Sequence, residues 1–420
     1  MRRIAVTGIG LISPLGNSCT EALANATAGR SAIRRIETPW AERLTSPLAA
    51  CVQFHGEEHF SPPRLRMLDR VAQLALVAAR QAVADARLDL DAADRERAGV
   101  FIGTGMGGAL STDEGYLSLY RDDSDRLKPF TVLMGMANAP AAWIGIDYDL
   151  RGPNLTYSTA CSSSAVSIGE AWLRLRRGDI DLAIAGGTEA PLAYGVMKAW
   201  EALHTVASVD PSDPATSCKP FSANRSGLVL GEGAAILVLE DWTRAVARGA
   251  FIHGELLGYG LSTDASHITR PTIAGQAAAM RAALHSGEIA PESIDTINAH
   301  GTGTQANDSV ETAAIKEVFG ERAHRLPVSA TKAIHGHLLG ASGALELALA
   351  LLALQENILL PTMHLAVPAE DCDLDYVANG ARPGQGARTV MSSSFAFGGT
   401  NAALIAARHE AERSVSGRAV

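Results

Sequence analysis

Ala160-Cys161-Ser162-Ser163-Ser164 joins two different periodicities, and that junction sets the fold class. The run Asn154 to Ser158 ahead of it reads as a strand. Behind it, Ala165, Ile168, Trp172 and Leu175 recur at helical spacing until Gly178, a residue suited to end a helix. Strand, turn and helix make the unit of an α/β protein, and here the unit leaves a thiol where a helix begins. Unpaired N–H groups and the positive end of the helix dipole favour a thiolate there, which suits a covalent nucleophile. A small buried cysteine beside a serine-rich cap gives the same pattern. Residues far downstream separate the two readings.

The chain has 420 residues, enough for two domains or one large double unit. Its 47% hydrophobic and 19% charged content describe a packed globular protein, and 40 glycines with few aromatics suggest many tight strand–helix turns. A net charge of −9 argues against a nucleic-acid binder, and leaves room for an acidic partner only at a local basic patch. Cys19, Cys51, Cys161, Cys218 and Cys372 are odd in number and lack C-x-x-C spacing, so reduced thiols in a cytoplasm are expected. Met1-Arg2-Arg3 runs straight into the strand Ile4-Ala5-Val6 without a cleavable apolar leader. The greasiest run, Ala344 to Leu354, contains Glu346 and is too short to span a bilayer, so it reads as a buried helix and no membrane segment is expected.

Strand-like and helix-like runs alternate along the whole chain, with a weak internal repeat. A helix over Val71 to Ala86, a strand over Ala98 to Ile102 and Gly103-Thr104-Gly105 correspond to a helix over Gln276 to Ser286, a strand over Ile294 to Ala299 and Gly301-Thr302-Gly303. Cys161 with its helix, leading to the strand Asp181 to Ala185, corresponds to Lys332 to His337 leading into the helix Ala344 to Gln355. Two copies of one α/β unit account for both, an N-terminal half over 1–252 and a C-terminal half over 253–408, with a polar tail over 409–420. Equivalent loops of the two copies would then converge on one crevice.

Four segments hold an acyl-transfer inventory: Cys161 in its turn, Asn298-Ala299-His300-Gly301-Thr302-Gly303-Thr304, Lys332-Ala333-Ile334-His335-Gly336-His337, and Ser394-Phe395-Ala396-Phe397-Gly398-Gly399-Thr400-Asn401. They supply one thiol, two histidines beside glycines, hydroxyls, a lysine and a loop able to aim backbone N–H groups. Together with Val6-Thr7-Gly8-Ile9-Gly10, Gly186-Gly187-Thr188-Glu189 and Gly231-Glu232-Gly233-Ala234, they resemble the decarboxylating β-ketoacyl-[acyl-carrier-protein] synthases of the thiolase superfamily.

The resemblance implies a duplicated thiolase-like fold layered αβαβα, and a decarboxylative Claisen condensation with malonyl-[acyl-carrier-protein]. Cys161 matches the residue that carries the acyl chain, and the N–H groups of Cys161 and Phe395 match the oxyanion hole. His300 and His337 match the pair that stabilises the enolate, Lys332 an orienting lysine, Glu311 its acid, and Asp308 a weaker candidate in the same network. Thr302 and Thr304 match the pantetheine-binding hydroxyls, Phe395 the gating aromatic, and Met106, Trp200 and Phe397 the substrate pocket. Arg64, Arg66 and Arg126 fall near docking positions for an acidic acyl carrier protein. No resident cofactor is implied, since phosphopantetheine arrives on the carrier. A homodimer, or a heterodimer with a homologous subunit, is. His335 stands where a small residue is usual, and Asn224-Arg225-Ser226-Gly227 replaces a more acidic stretch.

Other readings compete. Gly103-Thr104-Gly105-Met106-Gly107-Gly108 fits the dinucleotide fingerprint of an NAD(P)-dependent oxidoreductase, but Ser111 to Gly115 read as turn formers, so no helix is expected at Gly108. The turn expected at Gly8 also lacks a third glycine. His335-x-His337 suits a metal hydrolase without a convincing third ligand. A non-condensing thiolase would have a cysteine between Ser394 and Asn401, where there is none. A catalytically silent chain-length-factor-type subunit would have lost Cys161.

Overall fold

The computed structural model describes residues 1–409, so all but His409 of the expected tail lies outside the described residues. The main sheet has ten strands: β1 (Ile4–Ile12), β2 (Ala98–Gly103), β3 (Asn154–Tyr157), β4 (Leu182–Glu189), β5 (Gly233–Asp241), β6 (Gly254–Thr263), β7 (Thr296–Asn298), β8 (Val328–Ser329), β9 (Thr389–Phe395) and β10 (Thr400–Arg408). Their spatial order is β8-β7-β9-β10-β6-β1-β5-β4-β2-β3. Outward from the middle, β1-β5-β4-β2-β3 repeats β6-β10-β9-β7-β8. Each half has two antiparallel pairings followed by two parallel ones. The halves join where Ile4, Ala5 and Val6 pair antiparallel with Leu256, Glu255 and Gly254.

Six helices complete the layers: α1 (Arg70–Asp85), α2 (Ala109–Tyr120), α3 (Ser163–Arg177), α4 (Ile273–Gly287), α5 (Gln305–Phe319) and α6 (Ser342–Gln355). α3 and α6 form the middle layer. They pack on each other and on strands of both halves, with Trp172, Leu345 and Leu349 in one apolar cluster. α1 covers the N-terminal half from outside through Leu74 and Ala78, and α4 and α5 cover the C-terminal half through Met280 and Ile315. The result is the αβαβα order. Between Gly343 and Leu354, α6 is apolar on every face but for Glu346, as suits a helix enclosed by protein.

The duplication is visible at single atoms. A Cβ on Gly8 or Gly10 of β1 would lie 2.1 or 2.0 Å from the carbonyl oxygens of Ala82 and Ala78 on α1. A Cβ on Gly258 or Gly260 of β6 would lie 2.3 or 2.0 Å from those of Ala283 and Ala279 on α4. Gly8 therefore lies within a strand, where the outer helix leaves no space for a side chain, and not in the expected turn. The expectation at Gly108 also fails. Gly108 caps α2, and the Ser111 N–H donates to Asp69 Oδ2 at 2.8 Å, so a tertiary contact holds a helix that local propensity disfavours.

Substituting Gly10→Ala or Gly260→Ala should each lower stability by about 3 kcal/mol, as overpacking forces strand and helix apart. Gly380→Ala, with no neighbouring atom within 4 Å of its Cβ, should stay within about 0.5 kcal/mol of the parent. Urea denaturation of the three variants checks both figures.

Candidate active site

The starts of the two middle helices meet. Ser164 Oγ in α3 accepts the Ala344 N–H of α6 at 2.9 Å, and a Cβ on Gly343 would lie 3.0 Å from that of Ala165. Cys161 lies just before α3, in a 3₁₀ turn (Ala160–Ser162) whose first residue, Ala160, is held at φ +51. His337 lies just before α6, and His300 follows β7. The Cys161 sulfur and one nitrogen from each ring lie within 4.8 Å of one another, and all three residues are buried. One thiol and two imidazoles, contributed by both halves, thus share a single point.

Hydrogen bonds set the ring tautomers. His337 Nδ1 accepts the Leu339 N–H at 3.2 Å and faces Ser342 Oγ at 2.9 Å. Its proton is therefore on Nε2, which is buried without a hydrogen-bond partner in the protein. Lys332 Nζ lies 3.4 Å from His300 Nδ1 and donates to the His300 carbonyl at 2.7 Å, so His300 also carries its proton on Nε2. Burial and the Lys332 charge hold both rings well below the ordinary imidazole range, so both are neutral N–H donors.

Burial pushes the Cys161 thiol up to about 12, against the pull of Lys332 and of the Phe397 N–H. The helix start does not yield a resting thiolate, because desolvation outweighs it. The backbone N–H groups of Cys161 and Phe397 face the sulfur. Phe397 replaces Phe395 in the expected oxyanion pair. Phe395 still belongs to β9, paired with Asn401, and its ring packs edge-on to His300 at 6.0 Å. Beyond it the chain reverses at Gly398 and Gly399, with φ of +87 and +76, which lays the Phe397 N–H over Cys161.

Lys332 pairs with Glu346, not with Glu311. Glu346 lies on α6, and burial raises its carboxyl to about 7. Glu311, raised to about 7 by burial, instead accepts the N–H groups of His300 and Gly301 at 2.7 and 2.8 Å. Asp308 accepts those of Phe221 and Gly303 at 2.8 and 3.2 Å, so it also shapes the loop and does not join the lysine. Arg225, buried, donates to the carbonyls of Thr304 and Gln305 at 3.1 Å each. His335 donates from Nδ1 to the Gly336 carbonyl at 2.7 Å and faces Thr331 Oγ1 with Nε2 at 2.9 Å. Both its nitrogens are occupied, so His335-x-His337 is not a metal pair. The Cys161–His300–His337 set has the donor types a zinc ion accepts, but its Nε2–H groups suit hydrogen-bond donation to an oxygen.

A cavity of about 340 Å³ opens onto this point. Thr302, Thr304, Trp200, Phe395 and Phe397 line it, and Thr302 and Thr304 share a 2.9 Å hydroxyl contact. Trp200 stacks on Phe397 at 5.8 Å. Met106 does not line the cavity and is 42% exposed, because its loop packs beside Met134 and Ala137 at the surface. Arg66 and Arg126 are exposed, whereas Arg64 pairs with Asp147 and stacks on Trp143 at 4.2 Å. The glycine loop at 103–108 holds no nucleotide phosphate site. The N–H groups of Gly105 and Met106 donate to Glu189 at 2.7 and 2.9 Å. That buried carboxylate also accepts the Gly340 N–H at 2.9 Å, tying the loop to the segment after His337.

Sequence reading missed the roles of Glu189, Glu346 and Arg225. Glu346 alone gave a signal, as one charge in an otherwise apolar helix.

Comparison with known proteins agrees with this construction. The Beta-ketoacyl synthase N-terminal domain model matches residues 1–245, and the C-terminal domain model matches 253–366. Nodulation protein E of Rhizobium meliloti (strain 1021) is 40% identical over 403 residues, covering 96% of this chain and 98% of the relative. The 3-oxoacyl-[acyl-carrier-protein] synthase 2 of Staphylococcus aureus (strain COL) is 40% identical over 416 residues, covering 98% and 99%. A solved type II PKS acyl-carrier protein in complex with its ketosynthase bound to the hexaketide superposes with a TM-score of 0.90 at 30% identity, over 97% of this chain and 100% of the other. With the nucleophile, both imidazoles and the duplicated sheet in place, the chain belongs to the β-ketoacyl synthase family.

Proposed function

We propose that the cavity performs a decarboxylative Claisen condensation on Cys161. The meeting of one thiol and two neutral imidazoles within 4.8 Å carries this reading. Cys161 attacks an acyl thioester on a phosphopantetheine arm. Its sulfur takes the acyl group, and its proton leaves on the released carrier thiol. The N–H groups of Cys161 and Phe397 hold the oxygen that becomes negative on the way. A malonyl thioester then enters with its carbonyl oxygen against the Nε2–H groups of His300 and His337. Loss of carbon dioxide leaves an enolate, which those two donors stabilise. Its carbon attacks the acyl carbonyl, the Cys161–acyl bond breaks, and the departing thiolate takes a proton from water, replacing the one that left with the first carrier thiol. The products are a 3-oxoacyl thioester on the carrier and carbon dioxide. A silent-subunit role is disfavoured by the intact Cys161 and histidine pair.

Lys332 and Glu346 position the rings. The lysine holds the His300 carbonyl and Nδ1, and its charge adds to burial in keeping the imidazoles neutral. An acidic acyl carrier protein is the partner the exposed Arg66 and Arg126 suit, with Arg64 weakened by its ion pair. The open edge of the sheet suits a second copy of the chain. Among the described residues β3 pairs only with β2, its Leu155 is exposed, and Tyr116, Leu133 and Met136 are exposed as well.

Four outcomes are expected. Cys161→Ala should gain no acyl mass from an acyl-carrier substrate, while His300→Ala or His337→Ala should slow carbon dioxide release from malonyl carrier by about 10²–10³-fold. Because both ring pKa values are depressed, the neutral donors persist on acidification, and release should show no acid limb near pH 6.5; such a limb would reject neutral imidazoles. Glu346→Ala, which strands the Lys332 charge, should cost about 3–5 kcal/mol in urea denaturation, and Lys332→Met with Glu346→Leu together should cost less. Leu155→Asp on the open edge should shift the sedimenting species from dimer to monomer; an unchanged sedimentation coefficient would place the dimer contact elsewhere.

A further inference from the structure

The cavity has two chemically different ends. Cys161 is at the deep end, 5% exposed. Arg270 is at the outer end, exposed and lining the same cavity. Between them the wall carries the Thr302 and Thr304 hydroxyls and the apolar faces of Trp200 and Phe397. Arg270 has no carboxylate partner among the described residues. Asp264, the acid on the same loop, accepts instead from Thr272 Oγ1 at 2.7 Å and Asn401 Nδ2 at 3.0 Å. The loop itself is held in place. The Gly398 N–H donates to the Ile268 carbonyl at 2.7 Å, and the Asp264 N–H to the Gly399 carbonyl at 2.9 Å. The guanidinium is therefore carried by a segment bonded directly to the loop that lays Phe397 over Cys161.

An unpaired guanidinium at the rim and a nucleophile at the base select a ligand with an anion at one end and an electrophilic thioester at the other. The stretch between must be neutral and able to hydrogen-bond. A planar five-donor cation suits the oxygens of a phosphate, which it can hold with paired N–H bonds. We infer that Arg270 is the receptor for the phosphate of the pantetheine arm, fixing its reach so that the thioester arrives at Cys161. This rests on the condensation reading above. Arg270 lies outside the Arg64, Arg66 and Arg126 set, and it would read the arm itself, not the carrier's surface. A carboxylate at the far end of a primer is the other anion of suitable chemistry, and the test separates the two.

The experiment compares carbon dioxide release from malonyl-phosphopantetheine, malonyl-pantetheine without phosphate, and malonyl-carrier protein, in the full-length parent, Arg270→Ala and Arg270→Lys. In the parent, kcat/KM should favour the phosphorylated free arm. Arg270→Ala should cut that preference by about tenfold through KM, and Arg270→Lys should restore part of it. Unchanged preference, or a loss confined to the carrier-borne substrate, overturns the assignment; the second result would make Arg270 a contact of the carrier's surface. A loss seen only in loading of carboxylate-ended primers onto Cys161 would also overturn it. If the parent releases no carbon dioxide from any of the three thioesters, the condensation reading fails instead. Since Arg270 is exposed, an unchanged urea midpoint confirms that both variants are folded.

Discussion

The contact between the starts of α3 and α6 constrains everything else in this protein. Ser164 Oγ receives the Ala344 N–H, and position 343 has no room for a side chain. The contact brings the segment ending in Cys161 against the segment ending in His337, although 176 positions separate them in sequence (337 − 161). Widening it by one methyl group would separate thiol from imidazole before any catalytic residue changed. The sheet halves, the outer helices and the glycine pairs that let α1 and α4 lie close all keep those two helices in register.

Burial then decides the chemistry. Removed from water, the thiol holds its proton and the rings stay neutral, so the site is poised to donate N–H bonds to oxygen. Leaving a lysine charge in such surroundings is costly unless it is paired and fully bonded. Glu346 and the His300 carbonyl meet that requirement. The same desolvation that makes Lys332 expensive lets its field reach both imidazoles with little screening.

Much of this was legible in the residue order. The strand–turn–helix at Cys161, its end at Gly178, and the matching order of loops around His300 and His337 are local signals, and the fold preserves them. What failed to read depended on distant partners. Phe395 and Phe397 are equivalent in sequence until Gly398 and Gly399 turn the chain and select one N–H. Glu311 and Glu346 are both plausible acids for Lys332, and only the placement of α6 chooses between them. The helix after Gly108 owes its start partly to a carboxylate on Asp69, nearly forty positions earlier. Glycines at 8 and 10 signal backbone freedom in sequence but answer a neighbouring helix in space.

The mirrored strand order has one more consequence. A pair of identical half-chains meeting about a two-fold axis would have to present the same residue at both central helix starts. A thiol on one side and an imidazole on the other is then forbidden by symmetry. Only when both copies lie on one polypeptide can the two positions be altered independently. The covalent link between β5 and β6 is thus what permits a division of labour, with one half carrying the cargo and the other managing the electrons.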